Sequence, residues 1–208
     1  SLHLGSLLAI IYFFRQDLFD LKNNQKLLKL MIIGSIPLFI FGYILHSSEL
    51  IYNVRNIKII AWTTLIFGIV LYFADQRKTD QNISTSLNVR SIIFIGILQI
   101  LALIPGVSRA GINMTAARFL RFNRVDAGKI SFLLSIPALA GAGFLGLINI
   151  PNESLDLNLL VIFSIILSFL FSYFTVKFFL SFINKFSLKI FVIYRTIIAL
   201  ILLIIIYF

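Results

Sequence analysis

Cysteine is absent from this chain of 208 residues, which excludes disulfides, thiolate metal sites and cysteine nucleophiles. Acidic side chains are scarce: 8 Asp and Glu stand against 18 Lys and Arg, a net charge of +10. No carboxylate pair has metal-ligand spacing, so no metal site is read in this chain. Only 2 histidines occur, His3 and His46, both near the ends of apolar runs where interfacial packing is their simplest role. The basic excess is split among short segments between apolar runs. It forms no continuous basic face, so a nucleic-acid role is excluded and topology or anionic headgroups account for the charge.

What remains is apolar. Sixty per cent of residues are hydrophobic, 22 of them Phe, and the mean hydropathy is +1.02, more than a soluble domain of this size needs. Apolar runs fall at about 2–14, 31–46, 57–73, 130–148, 158–176 and 190–208, with a broken stretch at 91–120. The expected fold is all-α: a polytopic helical membrane protein forming one integral-membrane domain over 1–208. The first run is shorter than the ~20 residues of a full span. No basic n-region or small-residue cleavage site precedes it, so it does not read as a signal peptide. The chain is therefore expected to begin part-way through a longer protein.

The broken stretch is the informative one. Ser91 to Ile104 is too short to cross comfortably, and Pro105-Gly106-Val107-Ser108-Arg109-Ala110-Gly111 then bends the chain before Ile112 to Leu120. Two half-helices meeting at such a loop read as a re-entrant hairpin, because non-helical backbone at depth survives only inside protein or beside a wet cavity. Charge counting agrees. If 91–120 dips and returns, Arg15, Lys22, Lys26, Lys29, Arg77, Lys78, Arg90, Arg121, Arg124, Lys129, Lys177, Lys185 and Lys189 share one side. The loop from Asn149 to Asp156, without Lys or Arg, lies opposite; Arg55 and Lys58 are a mild exception. A re-entrant loop plus three spans inverts when repeated. Residues 91–208 are the second such unit and 1–90 a partial first one, lacking its re-entrant loop.

Within the loop, Gly106 and Gly111 let backbone approach a ligand, and the residues after the bend can open a helix with free N–H groups. Arg109 offers a planar fork that matches phosphate oxygens. At bilayer depth its charge costs ~3 kcal/mol or more unless paired or wetted. Ser108 can donate to phosphate or attack phosphorus if a base takes its proton. The expected phosphate contacts are Gly106, Val107, Ala110, Gly111 and Asn113, with Ser108 and Arg109 catalytic and Gln99 orienting the loop. Arg195 sits about one turn inside the last run, near Lys189, where snorkelling to the basic side is the simpler reading. Pro37 and Pro137 are expected kinks, and Ala138, Ala142 and Gly146 make a small-residue stripe for helix packing.

At these residues the sequence resembles the undecaprenyl-diphosphate phosphatase family, the bacitracin-resistance phosphatases of the bacterial inner membrane. Gln99 to Gly111 looks like the family's second signature and Ile130 to Pro137 like the helix after it. His3-Leu4-Gly5-Ser6-Leu7-Leu8-Ala9 and Ile193-Tyr194-Arg195 match family patterns at the two ends. The resemblance implies hydrolysis of undecaprenyl diphosphate to the monophosphate, recycling the carrier of cell-wall synthesis, on the outer side of that membrane. It also implies a divalent cation, Mg²⁺ or Ca²⁺, and an interior role for Arg195. Two positions depart from the pattern: Ala110 replaces a Ser and Asn113 a Thr. The family's first signature, a glutamate-rich turn and a Ser/His loop expected to hold the cation, is absent and would lie upstream of Ser1. The expected partners are the polyprenyl diphosphate, membrane lipids and a second copy in a homodimer. A polyprenyl-phosphate transporter or flippase, or an inactive fragment of the phosphatase, is the alternative.

Overall fold

The computed structural model describes residues 2–47, 56–148 and 155–207, with side chains at 21–23, 46, 144–148 and 155–159 not described. The sequence readings on Arg55, Gly146, the loop up to residue 154 and the side chains of His46 and Asp156 therefore lie outside the described residues. Everything described is helix or short connection: α1 (Leu2–Phe13), α2 (Arg15–Phe19), α3 (Leu21–Ser47), α4 (Ile57–Asp75), α5 (Ile83–Ser86), α6 (Val89–Gln99), a 3₁₀ turn (Ile100–Leu103), α7 (Arg109–Phe119), α8 (Arg124–Ile148), α9 (Leu155–Lys185) and α10 (Lys189–Tyr207). Among the described residues five helices are long and apolar enough to span a membrane, namely α3, α4, α8, α9 and α10.

Asparagine sets several starts. Asn56 accepts from Lys58 N to open α4, Asn88 from Ser91 N to open α6, and Asn123 from Asp126 N to open α8, each satisfying an amide that the first turn leaves free. Helix α9 runs on to Lys185, past the expected end near 176, because the residues after Lys177 stay apolar and helix-compatible. Pro37 and Pro137 both sit inside helices, in α3 and α8.

The core lies where α1, α3, α6, α7 and α8 meet. Ile92, Ile95, Ala116, Ala117, Ile130 and Leu134 are fully buried there. Helices α3 and α6 touch backbone to backbone: a methyl group added to Gly96 would stand 2.3 Å from the carbonyl oxygen of Gly34, an approach only small residues permit. Large apolar side chains such as Phe171, Phe178 and Ile205 cover the outside, the inversion expected when the solvent is lipid.

The stretch 83–122 is a hairpin whose ends are fastened together. Gln81 N and Asp80 N donate to Arg121 O at 3.2 and 3.3 Å, and Asn123 N donates to Gln81 O at 3.3 Å. Asp75, ending α4, joins the same level: Arg124 holds it with Nε and Nη2 at 2.7 and 3.0 Å, Arg118 Nε lies 3.4 Å away, and Leu188 N donates to it at 3.1 Å. Lys129 meets Asp17 of α2 on this side too. The end of α4, both ends of the hairpin, the start of α8 and the start of α10 thus share one basic end. The hairpin enters and leaves there, as the charge count requires.

Candidate functional site

The tip of the hairpin is held against α4 and α10 by its own carbonyl oxygens. Thr63 Oγ1 donates to Pro105 O at 2.6 Å and Thr64 Oγ1 to Gly106 O at 3.2 Å. Arg195 donates to Gly106 O at 2.7 Å, Val107 O at 3.1 Å and Thr64 O at 3.5 Å. Thr64 precedes Asp75 by about 16 Å of helix at 1.5 Å per residue. That is near the middle of a hydrocarbon core ~30 Å thick.

Gly106 makes the bend possible for two reasons. Its φ is +90°, and an added Cβ would lie 2.2 Å from Thr63 Oγ1 and 2.6 Å from Ile60 O. Ser108, at φ +66°, caps α7 by accepting from Gly111 N at 3.3 Å. A non-glycine residue there stores ~1–3 kcal/mol of backbone strain. Among the described residues the amides of Ser108, Arg109 and Ala110 have no acceptor, so the first turn of α7 presents free donors and the positive end of its dipole.

Two cavities flank the loop, and they divide the predicted residues. One, of about 330 Å³, takes Gly106, Ser108, Ala110, Gly111 and Arg195 into a wall otherwise made by residues such as Met114 and Phe191. The other, of about 750 Å³, lies between α3, the 3₁₀ turn and α8, lined by residues such as Leu38, Phe39 and Ala142, with Arg109 as its cation. Ser108 and Arg109 are neighbours in sequence but open on different cavities. Arg109 is half-buried and has no acceptor among the described residues.

Other predicted residues form the support. Val107 is fully buried and contributes its carbonyl oxygen. Asn113 lines neither cavity: it is fully buried, and its Nδ2 donates to Oε1 of equally buried Gln99 at 2.6 Å. This amide pair joins α6 to α7 beneath the bend, and a direct phosphate contact from Asn113 is not what the geometry offers. Arg195 does not snorkel. Its helix faces the loop, and three carbonyl oxygens draw the guanidinium inward, overriding the reading from its nearness to Lys189.

Sequence reasoning passed over Thr63, Thr64, Asp75 and Arg118. Adjacent hydroxyls in an otherwise apolar run were a usable signal for the threonines, and an acid closing that run was one for Asp75. No group of three His, Asp or Glu that could hold a metal ion occurs among the described residues. The loop brings together cations, hydroxyls and amides, a set that fits an anion and not a divalent cation.

Lipid-facing helices around a re-entrant hairpin, whose mid-depth tip carries an arginine without a counter-charge among the described residues, define an all-α polytopic membrane protein. The family model of the bacitracin resistance protein BacA matches residues 1–201, and the chain belongs to that family. A Pelagibacter ubique (strain HTCC1062) protein named undecaprenyl-diphosphatase is 66% identical over 208 residues, covering 100% of this chain and 81% of its own. Proteins of the same name from Elusimicrobium minutum (strain Pei191) and from a deep-ecotype strain of Alteromonas mediterranea are each 36% identical, over 93% and 94% of this chain and 77% and 78% of their own.

Proposed function

We propose that this protein is an undecaprenyl-diphosphate phosphatase, releasing the terminal phosphate of the lipid diphosphate and leaving the monophosphate. One observation carries the reading: Arg109 stands at mid-depth in an apolar cavity without a counter-charge among the described residues. A charge so placed is costly unless an anion joins it. A lipid diphosphate supplies both the anion and apolar chain for the wall.

In this reading Arg109 grips the diphosphate with two parallel hydrogen bonds and stabilises charge building on the transferred phosphoryl group. The free amides opening α7 add to that field. Ser108, turned to Gly111 and opening on the other cavity, shapes the loop, so attack falls to water. Its oxygen bonds to the terminal phosphorus while the bridging P–O bond breaks. The divalent cation that the resemblance implies finds no ligand set among the described residues. The basic end is assigned to the cytoplasm by its charge, with the site opening to the outer side of a bacterial inner membrane.

The test is phosphate release from undecaprenyl diphosphate by the purified protein. Arg109→Ala is expected to lose at least a hundredfold in kcat/KM, in line with removal of one transition-state donor. Unchanged hydrolysis in that variant would overturn the site. Movement of the lipid between leaflets with no phosphate released would replace hydrolysis with transport.

A further inference from the structure

At the basic end, opposite the loop tip, lies a depression that hydrolysis does not use. It holds about 760 Å³ between the end of α4, the base of the hairpin, the start of α8 and the end of α9. Five cations line it, Arg77, Lys78, Arg118, Arg124 and Lys189, against the two acids Asp75 and Asp126, an excess of three positive charges.

Both acids are already committed. Asp75 takes Arg118, Arg124 and the amide of Leu188, while Asp126 Oδ2 accepts from Ile83 N at 3.0 Å and Asn123 Nδ2 at 2.9 Å. Arg77, Lys78 and Lys189 are exposed and have no acidic partner among the described residues. The floor beneath them is fixed, for Arg118 is 1% exposed and reaches Asp75 O, Arg77 O, Phe122 O and Thr79 Oγ1. Three cations without an acidic partner, of which Lys189 lies 6.0 Å from the centre of the Tyr72 ring, therefore sit over a rigid base at the level where headgroups lie.

Beside the depression α9 carries a ladder of rings. Phe178, Phe182 and Phe186 recur every fourth residue, with centroids 6.0 and 4.9 Å apart. Phe178 and Phe186 are 70% and 55% exposed, and Ile183 and Asn184 of the same helix line the depression itself. Free phosphate gains nothing from such a stripe. An acyl chain does, because its methylenes make van der Waals contact along the rings.

We propose that this depression binds the phosphate head group of an anionic membrane lipid through Arg77, Lys78 and Lys189, with an acyl chain laid along Phe178, Phe182 and Phe186. The proposal is independent of the phosphatase reading, since it shares none of the residues assigned to the diphosphate.

The experiment uses the purified protein in zwitterionic detergent, with phosphatidylglycerol, phosphatidylcholine or inorganic phosphate added. The readouts are thermal unfolding and the lipid affinity from native mass spectrometry. Phosphatidylglycerol is expected to raise the unfolding temperature, and phosphatidylcholine and inorganic phosphate to leave it unchanged. In the triple variant Arg77→Gln/Lys78→Gln/Lys189→Gln the affinity for phosphatidylglycerol should fall at least tenfold, given roughly fivefold per basic residue at a membrane surface. Lys58→Gln, at the other end of α4, should bind as the unaltered protein does. Because the triple variant is able to fail in folding, the unaltered protein is also titrated with salt, which should weaken the lipid's binding. The proposal is overturned if the triple variant keeps its affinity, if salt has no effect, or if inorganic phosphate gives the same shift.

Discussion

Arg195 holds the carbonyl oxygen of Gly106 at 2.7 Å from 89 positions further along the chain. Its second terminal nitrogen reaches Val107 O at 3.1 Å. One guanidinium thus fixes two successive peptide groups of the loop that presents Arg109, and only a planar fork can do so.

Arg195→Lys should therefore behave nearly as badly as Arg195→Ala, despite keeping the charge. Hydrogen bonds from charged donors are worth ~1.5–3 kcal/mol each. Both variants are expected to show lowered unfolding temperature together with lowered kcat for phosphate release. A lysine variant with unaltered kcat would show that the clamp does not shape the site.

Gly106→Ala should be poorly tolerated, since the position combines φ +90° with a Cβ 2.2 Å from Thr63 Oγ1. Gly42→Ala is the contrast: the nearest atom to its Cβ is Leu103 Cδ2 at 3.9 Å, and helical glycine costs ~0.5–1 kcal/mol relative to alanine. Thermal unfolding should drop by several degrees for the first and hold or rise for the second. Equal effects would contradict the described bend.

Asp75→Asn should be the most damaging single change at the basic end. It leaves Arg118, 1% exposed, and Arg124 without their carboxylate, and breaking a buried ion pair costs about 3–5 kcal/mol. Arg124→Gln removes one partner and leaves Arg118 in place, so it should cost less. The comparison is read from unfolding temperatures, and the reverse order would displace Asp75 from the centre of this network.

Ser108 separates two chemistries. As a cap at φ +66°, its replacement by Gly removes the hydroxyl but relieves the backbone, whereas Ala removes the hydroxyl and keeps the strain. Phosphate release is expected to survive better in Ser108→Gly than in Ser108→Ala. Complete loss in both, with unfolding temperature preserved, would make Ser108 the nucleophile.

The hairpin was legible because its two causes are local: Pro105 and Gly106 interrupt the helix, and cations on both flanks demand a common side. The spans were legible for similar reasons, although Lys177 misplaced the end of α9 by suggesting an interface where apolar sequence continued. What could not be read is what distant chain does to a side chain. Arg195 reads from its local sequence as a snorkelling residue until the carbonyl oxygens of Gly106 and Val107 are placed beside its helix. Asp75 drew no reading from its local sequence, because its partners Arg118 and Arg124 arrive from the far side of the hairpin. Ser108 and Arg109 looked like one site because adjacency in sequence says nothing about which cavity each side chain enters.

The fastening of Gln81 to Arg121 and Asn123 also bears on biogenesis. With both feet of the hairpin pinned at one end, no polar segment between Asp75 and Arg124 has to be translocated to the far side. Arg109 travels only half-way into the bilayer, and it can do so after α4 and α8 are in place to receive it. The insertion machinery is therefore spared moving this charge across the bilayer, leaving it to be buried during assembly.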